Sequence, residues 1–161
     1  RSEEEIMKLK NSQLQSEIEF KNQELTSSAM HLIQKNKLLH DIKNSLRNLT
    51  EEEKNKQLTT QLNRLIKSID KDLEGTEEWS RFAENFDQVH GNFITRLKEK
   101  YPDLTSQEIK FSAYIRMNLN TKEIANLLGI SVRGVEIGRY RVRKKLALSR
   151  QENLSDFLLR F

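Results

Sequence analysis

Residues able to do chemistry are concentrated in two places along the 161-residue chain. Between 131 and 150 stand Arg133, Arg139, Arg141, Arg143, Lys144, Lys145 and Arg150 against one acid, Glu136, a net +6 in twenty residues. A stripe of that density suits a polyanion, because each cation that meets a phosphate releases a condensed counterion. The second place is His40-Asp41, where a carboxylate can orient an imidazole and raise its basicity for attack on a phosphoryl group. His31 and His90 lack a partner at metal-ligand spacing, such as a second His four residues away on one helical face. With no Cys in the chain, disulfides, thiolate zinc sites and cysteine nucleophiles are removed together. No catalytic residue, metal, cofactor or small-molecule ligand is therefore expected.

Composition describes the elements that must carry these residues. Only 35% of residues are hydrophobic while 32% are charged, lean for a compact globule and ordinary for long exposed helices. Five Gly and a single Pro leave few turns and argue against a many-stranded sandwich or barrel. No apolar run approaches the roughly 20 residues needed to cross a bilayer, and no signal peptide is evident. The first residue is Arg rather than Met, which predicts a piece of a longer protein. A cytoplasmic location is expected. The overall charge of +4 is unevenly divided. Residues 1–75 hold 13 basic and 13 acidic side chains, and residues 76–161 hold 15 and 11. A balanced half suits protein–protein contact; a basic stripe suits nucleic acid.

From Met7 to Leu49 the apolar residues follow a seven-residue repeat. One seam runs Asn11, Ile18, Leu25, Leu32, Leu39, Leu46; the other runs Met7, Leu14, Lys21, Ser28, Lys35, Ile42, Leu49. A continuous helix over that span would be about 65 Å long and could not bury its own stripe. Ile18, Leu25, Leu32, Leu39 and Leu46 are therefore read as dimerisation residues, in a homodimer or a higher homo-oligomer. Thr50 with Glu53 fits a capping box, which predicts a break near 48–51. A second helix then runs to about 74 on Leu58, Leu62, Leu65 and Ile69, with Gly75 closing it. The two helices either fold back as a hairpin or continue as a bent rod, so 1–75 is a helical, coiled-coil-like dimerisation region.

Thr76 reads as an N-cap with Glu77 and Glu78 at the positive end of a helix. Trp79, Phe82, Phe86, Val89, Phe93 and Leu97 then recur at three- and four-residue intervals, predicting one connecting aromatic-rich helix over 76–103 with a core-facing side. Tyr101-Pro102 ends it. Beyond it, caps predict four helices in 104–161. Thr105 with Glu108 opens the first, burying Ile109, Phe111, Ala113 and Ile115. Thr121 caps the second, with Ile124, Ala125 and Leu128 inward and Gly129 at its end. Ser131 caps the third, which runs to about Ala147 with Val135, Val142 and Leu146 inward. Ser149 with Glu152 caps the fourth, carrying Leu154, Phe157 and Leu158 as a second candidate dimer surface. The fold class expected is all-α throughout.

A short helix, a Gly-containing turn and a longer basic helix form helix-turn-helix grammar. Residues 104–147 resemble the LuxR-type (GerE-like) DNA-binding domain of bacterial transcription regulators. Leu104-Thr105-Ser106-Gln107-Glu108 is similar to that family's Leu-Thr-x-Arg-Glu, and Asn120-Thr121-Lys122-Glu123-Ile124-Ala125 to its scaffold helix. Leu128-Gly129-Ile130-Ser131 resembles its turn, and Val135-Glu136 through Lys145-Leu146 its recognition helix. The wording from Trp79 through Tyr101-Pro102 to Arg139-Tyr140-Arg141 is similar to the cytoplasmic tails of Bacteroidetes sensor-regulators. The family's Arg is Gln107 here, its Thr before Val135 is Gly134, and its usual recognition-helix His is Gly138. The two glycines suit close backbone approach either to DNA or to a neighbouring helix.

The resemblance implies a transcription regulator of two-component signalling type that binds double-stranded DNA as a dimer through helix 131–147. Opposite Val135, Val142 and Leu146 lie Arg133, Glu136, Ile137, Tyr140, Arg141 and Lys144. Glu136, Ile137 and Tyr140 take the base-reading positions: Glu accepts from cytosine N4, and Ile packs on a thymine methyl. Thr121, Ser131, Arg133, Arg141, Arg143 and Lys144 suit phosphates. Two alternatives stand beside this reading. His40-Asp41-Ile42-Lys43-Asn44-Ser45-Leu46 resembles the phosphoacceptor box of sensor histidine kinases, which would make the chain a histidine phosphotransfer protein. Ser45 stands where that box usually has Pro, and five scattered glycines cannot build the kinase's phosphate loops. The other alternative is a coiled-coil scaffold that binds no DNA.

Overall fold

Cap residues, rather than long loops, divide this chain. The computed structural model describes residues 2–161 and contains eight helices: α1 (Ser2–Glu52), α2 (Lys56–Glu74), α3 (Thr76–Val89), α4 (Phe93–Lys100), α5 (Ser106–Arg116), α6 (Thr121–Leu128), α7 (Val132–Lys145) and α8 (Leu154–Arg160). The described residues are thus all helical or connecting, with no strand. α1 and α2 fold back on one another as a hairpin, and α1 also lies against α3 and α6.

The turn of the hairpin falls later than the capping box predicts. Thr50 stays inside α1, its hydroxyl donating to the Leu46 carbonyl at 2.8 Å. Asn55 is the cap instead: its Oδ1 accepts from the N–H groups of Gln57 at 3.0 Å and Leu58 at 3.4 Å. Asn ranks at least as high as Thr at this position because its short carbonyl reaches the orphan donors directly. Asn55→Ala is expected to cost about 1 kcal/mol in urea denaturation. Thr50→Ala, which removes only a bond back to the preceding turn, should cost a smaller amount.

Two further expectations shift. Gly75, at φ +57°, ends α2 and precedes α3 directly, so Thr76 is the first residue of α3 and not its cap. The connecting helix is two helices. His90-Gly91-Asn92 interrupts it, with Gly91 at φ +59° and Asn92 at φ +58°. The Asp87 carboxylate then accepts from the Ile94 N–H at 2.7 Å, the Thr95 N–H at 3.2 Å and the Thr95 hydroxyl at 2.7 Å. A side chain of α3 thereby satisfies the orphan donors of α4. The His90 ring sits 4.3 Å from that of Phe86, and burial, with the nearby Arg116 cation, lowers its pKa to about 4.

One core joins these pieces. Leu25 of α1, Phe86 of α3, Phe93 and Leu97 of α4, Ile109 of α5 and Leu158 of α8 belong to the same buried cluster. The division expected at residue 104 therefore runs through packed side chains. The middle of α5 is deeply enclosed: Ile109, Phe111, Ser112, Ala113, Tyr114 and Ile115 are all buried. We call α3–α8 the head.

This packing corrects the dimerisation residues. Leu25 is buried in the chain's own core, and Leu32, Leu39 and Leu46 are half-buried along the hairpin, so the seam is covered largely from within. Leu154 and Leu158 are likewise buried in the head and Phe157 packs on the same core, which withdraws α8's apolar side from a dimer surface. Ile18 alone of the eight stays exposed.

Candidate nucleic-acid interface

The basic stripe lies on α7, and its geometry starts from the caps that hold α5, α6 and α7. Thr105 and Glu108 form the expected box, Glu108 accepting from the Thr105 N–H at 2.9 Å and Thr105 from the Glu108 N–H at 3.2 Å. α6 is capped by Asn120, not Thr121, through a reciprocal pair with Glu123. Thr121 is instead the first helical residue, its hydroxyl free of capping duty. Gly129, at φ +65°, ends α6 in the left-handed region that favours glycine. Two residues later Ser131 caps α7, its Oγ accepting from the Gly134 N–H at 3.0 Å. The hydroxyl proton of Ser131 remains available to an acceptor such as phosphate.

Val135 and Val142 are completely buried and Leu146 nearly so, which fixes the inward side of α7. Two glycines let the helix sit close. A Cβ at Gly138 would lie 3.3 Å from the Phe111 ring on α5, and one at Gly134 would lie 3.3 Å from Ile130 Cβ. The close approach they serve is therefore to the chain itself.

The outward side carries the expected set. Ile137 is 45% and Tyr140 67% exposed, and Glu136, Arg133, Arg141 and Lys144 are exposed beside them. No ion pair among the described residues engages Arg133, Arg139, Arg141, Lys144 or Arg150. Val132, 45% exposed and one turn before Glu136, extends the same side. Lys122 is an exposed cation in the first turn of α6. The basic run points to neither residue; the motif contains Lys122 in its scaffold helix, and the four-residue step 132–136–140 marks Val132 by helical phase.

Two members of the basic run do other work. Arg143 donates from Nη1 to the Glu152 carbonyl at 2.6 Å and from Nη2 to the Ser149 carbonyl at 2.7 Å. It ties down the segment 146–153, so its assignment to phosphates is corrected: its fork is filled by backbone carbonyls. The fourth cap also differs, since Asn153 rather than Ser149 caps α8. Lys145 bonds the Glu108 carboxylate at 2.8 Å and the Asp103 carbonyl at 2.9 Å. Burial pushes the Glu108 carboxyl up, but Lys145 and the Thr105 N–H outweigh it and hold the group below its ordinary range. Arg116, outside the run, donates to the carbonyls of Leu158 and Leu159 and lies over the Phe93 ring at 4.8 Å, closing the end of α8.

His40 is half-buried and lines a cleft of about 470 Å³ between hairpin and head, with Asn36, Lys43, Asp70, Gln107 and Leu127 among its walls. Lys43 pairs with Asp70 across the hairpin. The imidazole is thus recessed rather than openly exposed. Among the described residues no group of three or more His, Cys, Asp or Glu could hold a metal ion, and no helix is long and apolar enough to cross a membrane.

The chain matches no protein-family model, no curated protein and no solved structure.

Proposed function

We propose that the chain is a DNA-binding transcription regulator of helix-turn-helix type that reads the major groove through α7. The observation that carries this reading is the division of α7 into a buried side and an unpaired cationic, partly apolar side. Val135 and Val142 hold the helix; Arg133, Glu136, Ile137, Tyr140, Arg141 and Lys144 stand clear of the protein. α7 packs chiefly on α5 and α6, and the hairpin leaves that outward side uncovered. The resemblance of residues 104–147 to LuxR-type domains supports the same reading. Glu136, Ile137 and Tyr140 are placed on base edges, and Arg133, Arg141, Lys144, Thr121 and Ser131 on phosphates. A single small head has limited affinity, so two heads on half-sites about one helical turn apart are proposed, with an output role inside a larger cytoplasmic signalling protein.

Selection from a pool of random duplexes is expected to enrich a two-fold symmetric consensus. Ile137→Ala or Tyr140→Ala should then cost roughly 1–3 kcal/mol on that consensus and little on a scrambled duplex. A pool that yields no consensus, or equal losses on both duplexes, would show that α7 does not read sequence.

A further inference from the structure

The hairpin leaves five large apolar side chains in water. Leu38 is 61%, Ile42 40% and Leu49 57% exposed on α1, and Leu58 41% and Leu65 53% on α2. At about 100° per residue, positions 38, 42 and 49 fall in one narrow arc of α1, and 58 and 65 in one arc of α2. Each arc lies roughly a quarter-turn from the side that meets the other helix, in the same helical sense. Because the two helices run antiparallel, that common offset puts both arcs on one face of the hairpin.

Charge and size say what covers this face. Between Leu38 and Leu49, and between Leu58 and Ile69, no Lys, Arg, Asp or Glu falls on the arc; Ser45 and Gln61 edge it, and Arg64, Lys67 and Lys71 lie on another side of α2. The exposed Asp72, one heptad beyond Leu65 and close enough to act on Lys35, carries the α2 arc to the Leu38 end of the face, so a charged partner would find a carboxylate only at its edge. A face apolar through its middle, by contrast, meets a copy of itself there without like-charge repulsion, as an isologous interface requires. The five side chains expose about two and a half leucines' worth of surface. That is a patch of several hundred Å², the size of the largest apolar patch on a typical monomer, which is often a functional one. With its polar edges it reaches the order of 600 Å² per partner, the low end of specific interfaces.

We propose that this face is covered by a second copy of the chain, hairpin against hairpin, as a four-helix bundle. The surface takes Ile42 and Leu49 from the second heptad seam of α1; it differs from the first, whose Leu25, Leu32, Leu39 and Leu46 the chain covers itself, and from the projecting first twenty residues. Its bearing on paired half-sites rests on the DNA-binding reading; the association itself does not.

The test is sedimentation of the whole chain at about 1–50 µM without DNA, a range that brackets a micromolar dissociation constant, so that its outcome is independent of DNA binding. The unchanged chain is expected to be a dimer. Leu38→Glu with Leu65→Glu should raise the dissociation constant at least tenfold while leaving the helical circular dichroism in place. Mixing that chain with one carrying Leu38→Lys and Leu65→Lys should restore association, a rescue that a misfolded variant cannot give. Leu9→Glu with Phe20→Glu, on the projecting rod, should leave the dimer intact. A monomeric unchanged chain, a dimer that survives Leu38→Glu with Leu65→Glu, or a dimer dissolved by the rod changes alone would overturn the proposal.

Discussion

Phe86→Ala is expected to destabilise the whole chain by roughly 3–5 kcal/mol, the range for emptying an aromatic core position. For a chain of this size that corresponds to a fall in melting temperature of roughly 10 °C or more. Phe86 is fully buried among three rings: Phe82 within its own helix at 5.8 Å, Phe93 of α4 at 5.8 Å, and the His90 imidazole at 4.3 Å. Removing it leaves a cavity that these rings cannot close without abandoning packing of their own. The informative part is the shape of the transition. Because the cluster runs from Leu25 on α1 to Leu158 on α8, the melting curve should shift as one step. A curve that splits, with one half unmoved, would show that the helices before residue 104 and those after it are energetically separate.

Replacing Arg133, Arg141 and Lys144 together by Ala should lower the slope of log affinity against log salt by about 2.7, close to one unit for each phosphate no longer neutralised. At moderate ionic strength affinity should fall on the order of a hundredfold to a thousandfold, alike on specific and scrambled duplexes, since phosphate contacts carry no sequence information. The triple variant should melt where the unchanged chain does, because no ion pair among the described residues engages these three groups. Arg143→Ala supplies the contrast. It removes the bonds to the Ser149 and Glu152 carbonyls, so its effect should appear in thermal stability and leave the salt slope nearly unchanged. The reverse outcome, a changed slope at constant melting temperature, would return Arg143 to the phosphate-contacting set.

Much of the head could be read from local patterns because local chemistry decides them. The Thr105–Glu108 box, the Ser131 cap, Gly129 at the end of α6 and the inward set Val135, Val142 and Leu146 all follow from short-range spacing, and the structure has each of them. What escaped depends on competition or on distance. Thr50 and Asn55 are both competent caps five residues apart, and spacing alone does not say which wins. The aromatics of 79–97 keep helical intervals straight through His90-Gly91-Asn92, so periodicity hid a break that Gly-Asn signals and Asp87 secures. Arg143 and Lys144 are neighbours of equal charge, distinguished only by carbonyls six to nine residues on. The heptad seam correctly demanded a cover, yet a stripe of Leu does not record whether its cover belongs to the same chain.

The 51-residue α1 is also a lever, with a fulcrum where Leu25 enters the head. The arm from Leu25 back to Ser2 is about 35 Å long at 1.5 Å per residue. Tilting it by about 10° moves its far end by roughly 6 Å, so a sideways displacement at that end shrinks toward nothing at the fulcrum. Rotation about the helix axis suffers no such loss: an angle turned at Ser2 arrives at Leu25 as the same angle. With a single residue, Gly75, between α2 and α3, there is little slack to absorb it. The mechanical gearing of this chain therefore favours torque over displacement.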